Sequence, residues 1–451
     1  MVRNLVLAAA LAALSSSTLA AGAPSAEELE ARLWNSAALA GAYKPDLSED
    51  EKVAGLSKFW SEVKYNFVYV DKLKEIDWDQ QYLDYLPKVR ATKSTAEYYR
   101  VLMQLCAKLG DGHTNVYPAK EVWDTELARP LIKTRLVEGR VMVREVLDAG
   151  LRAQGVVPGT EVVAVDGEPV VAYAQREIAP YQSASTKQDR DVRTYSYGFL
   201  AGPIDKSPKV TFSDAKGRTF DLPVPRQGME GMMKVLKPAT PFDFRMLPGG
   251  VAYVALNSFG NDEAADKFLA AFDKIAASNA LVIDLRDNGG GNSNVGFRVL
   301  ATLTDKQFET GRWDTRNYLP TYRAWGKPMP NFAQADDNWA PDLKHQYKKP
   351  VVVLTSPATY SAAEDFLVAF DAMKRGAIVG EATGGSTGQP LMISLPGGGK
   401  ARIVSKRDTY PDGKQFVGVG IQPDIKVSPT VADLRTGRDT VLEAALLSLR
   451  K

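Results

Sequence analysis

Cysteine and histidine are scarce in this chain. Cys106 is the single cysteine of 451 residues, and His113 and His345 are the two histidines, so no disulfide can close within the chain. No HExxH, CxxC or EF-hand pattern occurs, and no Walker or dinucleotide glycine pattern, so neither a metal nor a cofactor is expected. The formal charge is only +2. Without a basic stripe interleaved with aromatics, nucleic acid is excluded as an expected partner. Cys106 lies in VLMQLCAKLG, on the apolar face of a helical pattern, the setting of a buried and inert thiol.

Long apolar runs are also missing, with one exception. MVRNLVLAAALAALSSSTLAAGA combines a basic start at Arg3, about ten apolar residues and small residues around Ala20, the pattern of a secretory signal peptide over residues 1–21. The run is short of the roughly 20 residues that span a bilayer. The expected product is an exported chain, periplasmic or secreted, with no stable membrane anchor. Its apolar (45%) and charged (24%) fractions are those of a soluble folded protein long enough for two or three domains.

Three regions follow. Residues 24–118 read as helices, because apolar positions recur at three and four in VAGLSKFWSEVKYNF and AEYYRVLMQLCAKL, with Ser94 as a cap. They end in LGDGHTNVYP, where Gly110 and Gly112 stop the helix and His113 stands at the exit. Residues 130–228 change to short strands, GRVMVREV, TEVVAVDGEPV and PKVTFSDAKGRTFDLPV. Residues 240–451 alternate strands (GVAYVAL, ALVIDL, PVVVLT, AIVG) with helices, which predicts an α/β layer around a largely parallel sheet. In such sheets the working residues lie beyond the carboxyl ends of the strands. The aperiodic, aromatic-rich stretch 305–349 is expected to line a substrate cleft.

TYSAAEDF, at 359–366, raises the functional question. Ser361 followed by Glu364 is the S-x-x-E capping box, which satisfies free N–H groups at a helix start. The same place exposes a serine hydroxyl beside N–H groups that favour developing negative charge. VIDLRDNGGGN, at 282–292, reads either as a flexible turn or as a second group of donors, in which a backbone N–H near Gly290, paired with that of Ala362, forms an oxyanion hole. If the site has a histidine base, His113 is the choice, since His345 in DLKHQYKKP is surrounded by charge and read as solvated. Asp284 and Arg286 read as a structural pair.

Two resemblances sharpen this. GVVPGTEVVAVDGEPVVA resembles a PDZ domain, which implies an extended polypeptide ligand at a sheet edge. In order, LGDGHTNV, DLRDNGGG, TSPATYSAAEDF, GEATGG and GVGIQPDI resemble the C-terminal processing (tail-specific) and tricorn core serine peptidases. The resemblance implies a Clp protease/crotonase-like α/β catalytic core after an N-terminal helical region and a small β-rich PDZ-like domain. It makes Ser361 the nucleophile, with the N–H groups of Gly290 and Ala362 as oxyanion hole. The base lysine of the processing branch is not matched, because Ser386 and Thr387 stand in its place. DGHT puts His113 where the tricorn branch has its base. That branch also has a serine just before the histidine, where this chain has Gly112, and a glutamate near the Pro-Asp motif, where it offers Gln415, Val417 and Gln422. The implied function is an exported serine endopeptidase that cleaves unstructured polypeptides or protein C-termini through an acyl-enzyme. The alternative is a catalytically silent peptide- or lipid-binding protein of the same fold. The sequence names no oligomeric state.

Overall fold

Six strands form the central sheet, in the spatial order Phe242–Leu247, Val251–Leu256, Ala280–Asp284, Val351–Thr355, Ala377–Gly380 and Ile425–Lys426. The first pair is antiparallel and the rest are parallel. Ala280–Asp284 and Val351–Thr355 are buried at every residue, which is why they read as unbroken apolar runs rather than alternating ones. Helices Glu263–Ala270, Ser293–Leu300 and Ala362–Ala372 pack their apolar stripes on one face. Thr440–Ser448 covers the other. The expected α/β core is therefore present. The structure is a computed structural model that describes residues 25–34, 39–236, 239–334 and 338–450. The signal segment expected at 1–21 lies outside the described residues. Helix Ala26–Trp34 belongs to a unit separate from the body that runs from Leu39 onward.

Helices Glu49–Asn66, Trp78–Ala91 and Thr95–Ala107 build the expected helical region around Leu56, Phe59, Tyr98, Leu102 and Leu105. Its core is not closed by its own residues. Strands Pro390–Ser394 and Lys400–Val404, with the turn between them, cross over from the C-terminal half and insert Ile393, Leu395, Ile403 and Val404. Lys400–Val404 then pairs with Asn115–Tyr117, the strand just after His113. This pairing decides where His113 points.

The β-rich unit has strands in the order Ile132–Val137, Arg140–Val146, Glu161–Val165, Lys209–Ser213 and Thr219–Pro223, all antiparallel. Between its third and fourth long strands run helix Val170–Glu177, helix Lys187–Val192 and a wide turn over Arg193–Tyr197. Sequence reading saw only strands here. These segments carry Asp189 and Arg193 to the cavity described below.

The stretch 305–349 differs from expectation. Arg312–Arg316 pairs with both Asn331–Gln334 and Lys406–Thr409, and Phe308–Glu309 pairs with Asn338–Trp339. Strands of two to five residues are too short to show a period. None of these residues lines the cavity that holds Ser361. His345 is also not free in solvent: it is part-buried, with Nδ1 2.7 Å from Asp342 and its ring edge-on to Phe272.

Candidate active site

The buried strand Val351–Thr355 ends in a loop stitched to the loop after Ala280–Asp284. Ser356 Oγ donates to Arg286 O at 2.5 Å, Thr359 Oγ1 to Leu285 O at 2.8 Å, and Tyr360 N–H to Asn288 O at 3.0 Å. The chain then turns sharply at Ser361, with φ 56 and ψ −127, before helix Ala362–Ala372. An L-residue with positive φ outside the small left-handed well holds about 1–3 kcal/mol of strain. Its surroundings fix it: Ser361 N–H donates to Ser386 O at 3.1 Å and to the Glu364 carboxylate at 3.2 Å. Gly290 (φ +95) lies against this turn. A Cβ there would fall 2.6 Å from Ser361 Cβ and 2.9 Å from Ala362 N, so only glycine lets the two loops meet.

The structure brings His113 to Ser361 across 248 residues, with Nε2 3.1 Å from Ser361 Oγ. The other ring nitrogen, Nδ1, lies 2.8 Å from Ser386 Oγ. For the Ser361 hydroxyl to donate to Nε2, Nδ1 must carry the ring proton and donate to Ser386. The ring stacks on Tyr360, with centroids 5.0 Å apart and planes 5° apart. Sequence reading offers Glu364 and Glu381 as partners for Nδ1, but Glu364 holds the 383–386 loop and Glu381 pairs with Arg135. The signal was present as the serine in GGST, but the contact spans 273 residues. Gly112 belongs to the same arrangement. A Cβ on it would lie 2.0 Å from Tyr360 Oη and 3.0 Å from Ser386 Oγ. Where the tricorn pattern has a serine before its histidine, this chain leaves space, and Ser386 enters it from another loop.

Glu364 pins that loop. Its fully buried carboxylate accepts from Thr383 Oγ1 at 2.5 Å, Gly385 N–H at 2.8 Å and Ser386 N–H at 2.9 Å, besides Ser361 N–H. Burial pushes its carboxyl up to about 8, against these donors, which pull it down. Arg193 Nη2 donates to Tyr360 Oη at 2.9 Å, while its Nε pairs with Asp189 at 2.7 Å. Burial holds the His113 imidazole well below its ordinary value, helped by the cations of Arg402, Arg193 and Lys406. The neutral base-competent form therefore dominates near neutral pH.

The oxyanion donors are only half as expected. Ala362 N–H is a first-turn helix donor with no partner among the described residues. Gly290 N–H instead donates to Asn288 Oδ1 at 2.8 Å. The glycine read as a second free donor is engaged, because Asn288, buried and tied to Leu256 O at 2.8 Å, closes a turn over the loop. Asp284 and Arg286 form the structural pair expected, extended by Asp439 at 2.7 Å from Arg286. Cys106 is buried, its thiol pushed up to about 12 by that burial.

Ser361, His113, Gly289 and Gly291 line a cavity of about 480 Å³. A second, of about 630 Å³, shares Val192, Tyr197, Pro357 and Ala358 with it and continues to strand Ile132–Val137 of the β-rich unit. Among the described residues no cluster of His, Cys, Asp and Glu could hold a metal ion, and no helix is long and apolar enough to cross a membrane.

A serine hydroxyl on a strained turn, an oriented imidazole and a helix N-terminus make a geometry that can support nucleophile–base chemistry. In comparison with known proteins, residues 250–427 match the Peptidase family S41 model and residues 51–107 match the Tricorn protease C1 domain. The C-terminal processing peptidase of Tetradesmus obliquus chloroplasts is 28% identical over 192 residues, 41% of this chain and 38% of that protein. A tricorn protease homolog of Streptomyces coelicolor is 24% identical over 403 residues, 82% of this chain and 30% of that one. The matches thus span well under half the length of these relatives. Mature CPAF in its complex with lactacystin has the same fold, with a TM-score of 0.68 at 14% identity over 89% of this chain and 98% of that one. The photosystem II D1 C-terminal processing protease gives 0.51 at 20% identity, over 85% and 97%.

Proposed function

We propose that the chain is an exported serine endopeptidase that cleaves unstructured polypeptides or protein C-termini. The observation that carries this reading is the line Ser361 Oγ, His113 Nε2, His113 Nδ1, Ser386 Oγ, with gaps of 3.1 and 2.8 Å. Ser361 attacks the scissile carbonyl while its proton passes to His113, and the same proton goes to the leaving amine. Water, activated by the freed imidazole, then releases the acyl group. Ala362 N–H holds the oxyanion, and Gly290 N–H joins it once the glycine loop lets go of Asn288. Ser386 keeps the ring in the tautomer that accepts from Ser361. The joined cavities suit an extended chain, in keeping with the peptidase domain match, and the PDZ-like unit takes the flanking segment.

The engaged Gly290 N–H is the observation that favours the second reading, a silent peptide or lipid binder of the same fold. Digestion of casein by the purified chain, beside Ser361→Ala and His113→Ala, separates the two. Cutting by wild type alone supports the peptidase, whereas equal binding by all three with no fragments by mass leaves the binder.

A further inference from the structure

Resting on the peptidase reading, we propose that Arg402 is a subsite for a substrate carboxylate beside Ser361. Two guanidinium groups line the Ser361 cavity, Arg193 and Arg402. They differ in their compensation. Arg193 is neutralised by Asp189 at 2.7 Å. Arg402 has no carboxylate within ion-pair distance among the described residues: Nε donates to Asn115 Oδ1 at 2.7 Å and Nη2 to Gly112 O at 3.1 Å, both neutral acceptors. Its Nη1 has no hydrogen bond there, and the guanidinium lies 5.7 Å from the Tyr117 ring centroid.

The group is also held still. Strand Lys400–Val404 is paired on both sides, residue 402 opposite Asn115 on one and Met392 on the other. A rigid, half-buried guanidinium with an unused edge toward a cleft is matched by a carboxylate, which accepts forked hydrogen bonds that water supplies poorly. An Asp or Glu side chain near the cut and the α-carboxylate of a chain end share this chemistry.

Arg402 also reaches the base, since Gly112, whose carbonyl it binds, precedes His113. The groups facing His113 are the cations of Arg402, Arg193 and Lys406, of which Arg193 pairs with Asp189 and Lys406 with Asp408, together with Tyr360, Ser361 and Ser386; the buried Asp111 feels the charges of Lys72, Arg402 and Arg193 but makes no ion pair with Arg402. A carboxylate on Arg402 cancels the cation that no carboxylate pairs with, so it makes His113 more basic while it binds. Acidic substrates then gain in kcat as well as KM, and the acid limb of their kcat profile moves to higher pH.

The test uses matched peptides cut by the full chain: Glu against Gln at each position flanking the cut, and a free against an amidated C-terminus. Wild type should favour the acid twin by about tenfold or more in kcat/KM, Arg402→Lys should keep part of the preference, and Arg402→Gln should bring the ratio near one. A ratio of two substrates does not depend on how much enzyme is folded. Whichever pair shows the ratio names the source of the carboxylate. Equal cutting of every pair by wild type, or a preference that survives Arg402→Gln, overturns the proposal. If no peptide is cut at all, the peptidase reading fails instead. Calorimetry on Ser361→Ala then decides the subsite alone: tighter binding of the acid twin, lost on adding Arg402→Gln, sustains it, and equal binding ends it.

Discussion

Ser48, Ser94 and Ser361 each stand three residues before a glutamate at a helix start, and they are put to different uses. At Ser48 (φ −60, ψ 158) and Ser94 (φ −150, ψ 161) the backbone is extended, and the hydroxyl accepts the N–H of Glu51 at 3.3 Å and of Glu97 at 3.1 Å. At Ser361 the backbone turns to φ 56, and the hydroxyl faces His113 at 3.1 Å. The glutamates diverge too. Lys44 and the Ser48 N–H hold Glu51 down at about 2, while burial lifts Glu364 to about 8. An S-x-x-E pattern thus locates a helix start, and the backbone angle and the distant partner decide whether the serine is only a cap.

The largest break in that comparison comes from exchanging the serines. Ser361→Ala and His113→Ala should each lower polypeptide cleavage by about 10⁴–10⁶-fold, as read by fragment release. Ser48→Ala should leave cleavage unchanged and cost about 0.5–2 kcal/mol in urea unfolding. Cleavage by Ser361→Ala would make all three serines equivalent.

Next in size is Ser386→Ala, which removes the acceptor for His113 Nδ1 and nothing that touches substrate. A loss of about 10–100-fold, mostly in kcat, is expected by analogy with partners that orient other histidines. A loss confined to KM would place Ser386 elsewhere in the mechanism.

Smaller is the pH effect. His113 acts when neutral, and its affinity for protons is depressed, so kcat/KM for neutral peptides should stay flat down through about pH 6.5 and fall only below it. An acid limb centred at or above 6.5 would contradict the buried, cation-flanked setting. The same depression makes folding stability weaken as pH drops below that range, because the unfolded histidine then binds the proton more readily.

The finest contrast is between the two glutamates. Glu364, raised in the folded state, contributes stability below about pH 4.5 that fades as pH rises through about 8. Glu51, lowered, contributes above about 4.5 and fades as pH falls through about 2. Urea unfolding of Glu364→Gln relative to wild type should therefore improve from pH 5 to 8, while Glu51→Gln should show its small deficit, one that shrinks in acid. Parallel slopes would mean that Glu364 stays ionised.

Much of this was legible in advance. Unbroken apolar strands gave the parallel sheet, the glycines of DLRDNGGG marked a close approach, and Ser361 and His113 stand at the ends of elements whose periods are plain. What could not be read depends on contacts across the chain. Ser386 looks like a loop serine until His113 is beside it, and Gly290 looks like a free donor until Asn288 claims its N–H. The strands 390–404 belong by sequence to the C-terminal half and by packing to the helical core. The short strands in 305–349 carry no period at all, so the sequence shows only an aperiodic stretch there.

The 248 residues between His113 and Ser361 also set a schedule. At ribosomal speed His113 is made roughly 12–50 s before Ser361, and Lys400–Val404, the strand that pairs beside His113, is made later still. A chain halted at any point in between holds His113 without Ser361.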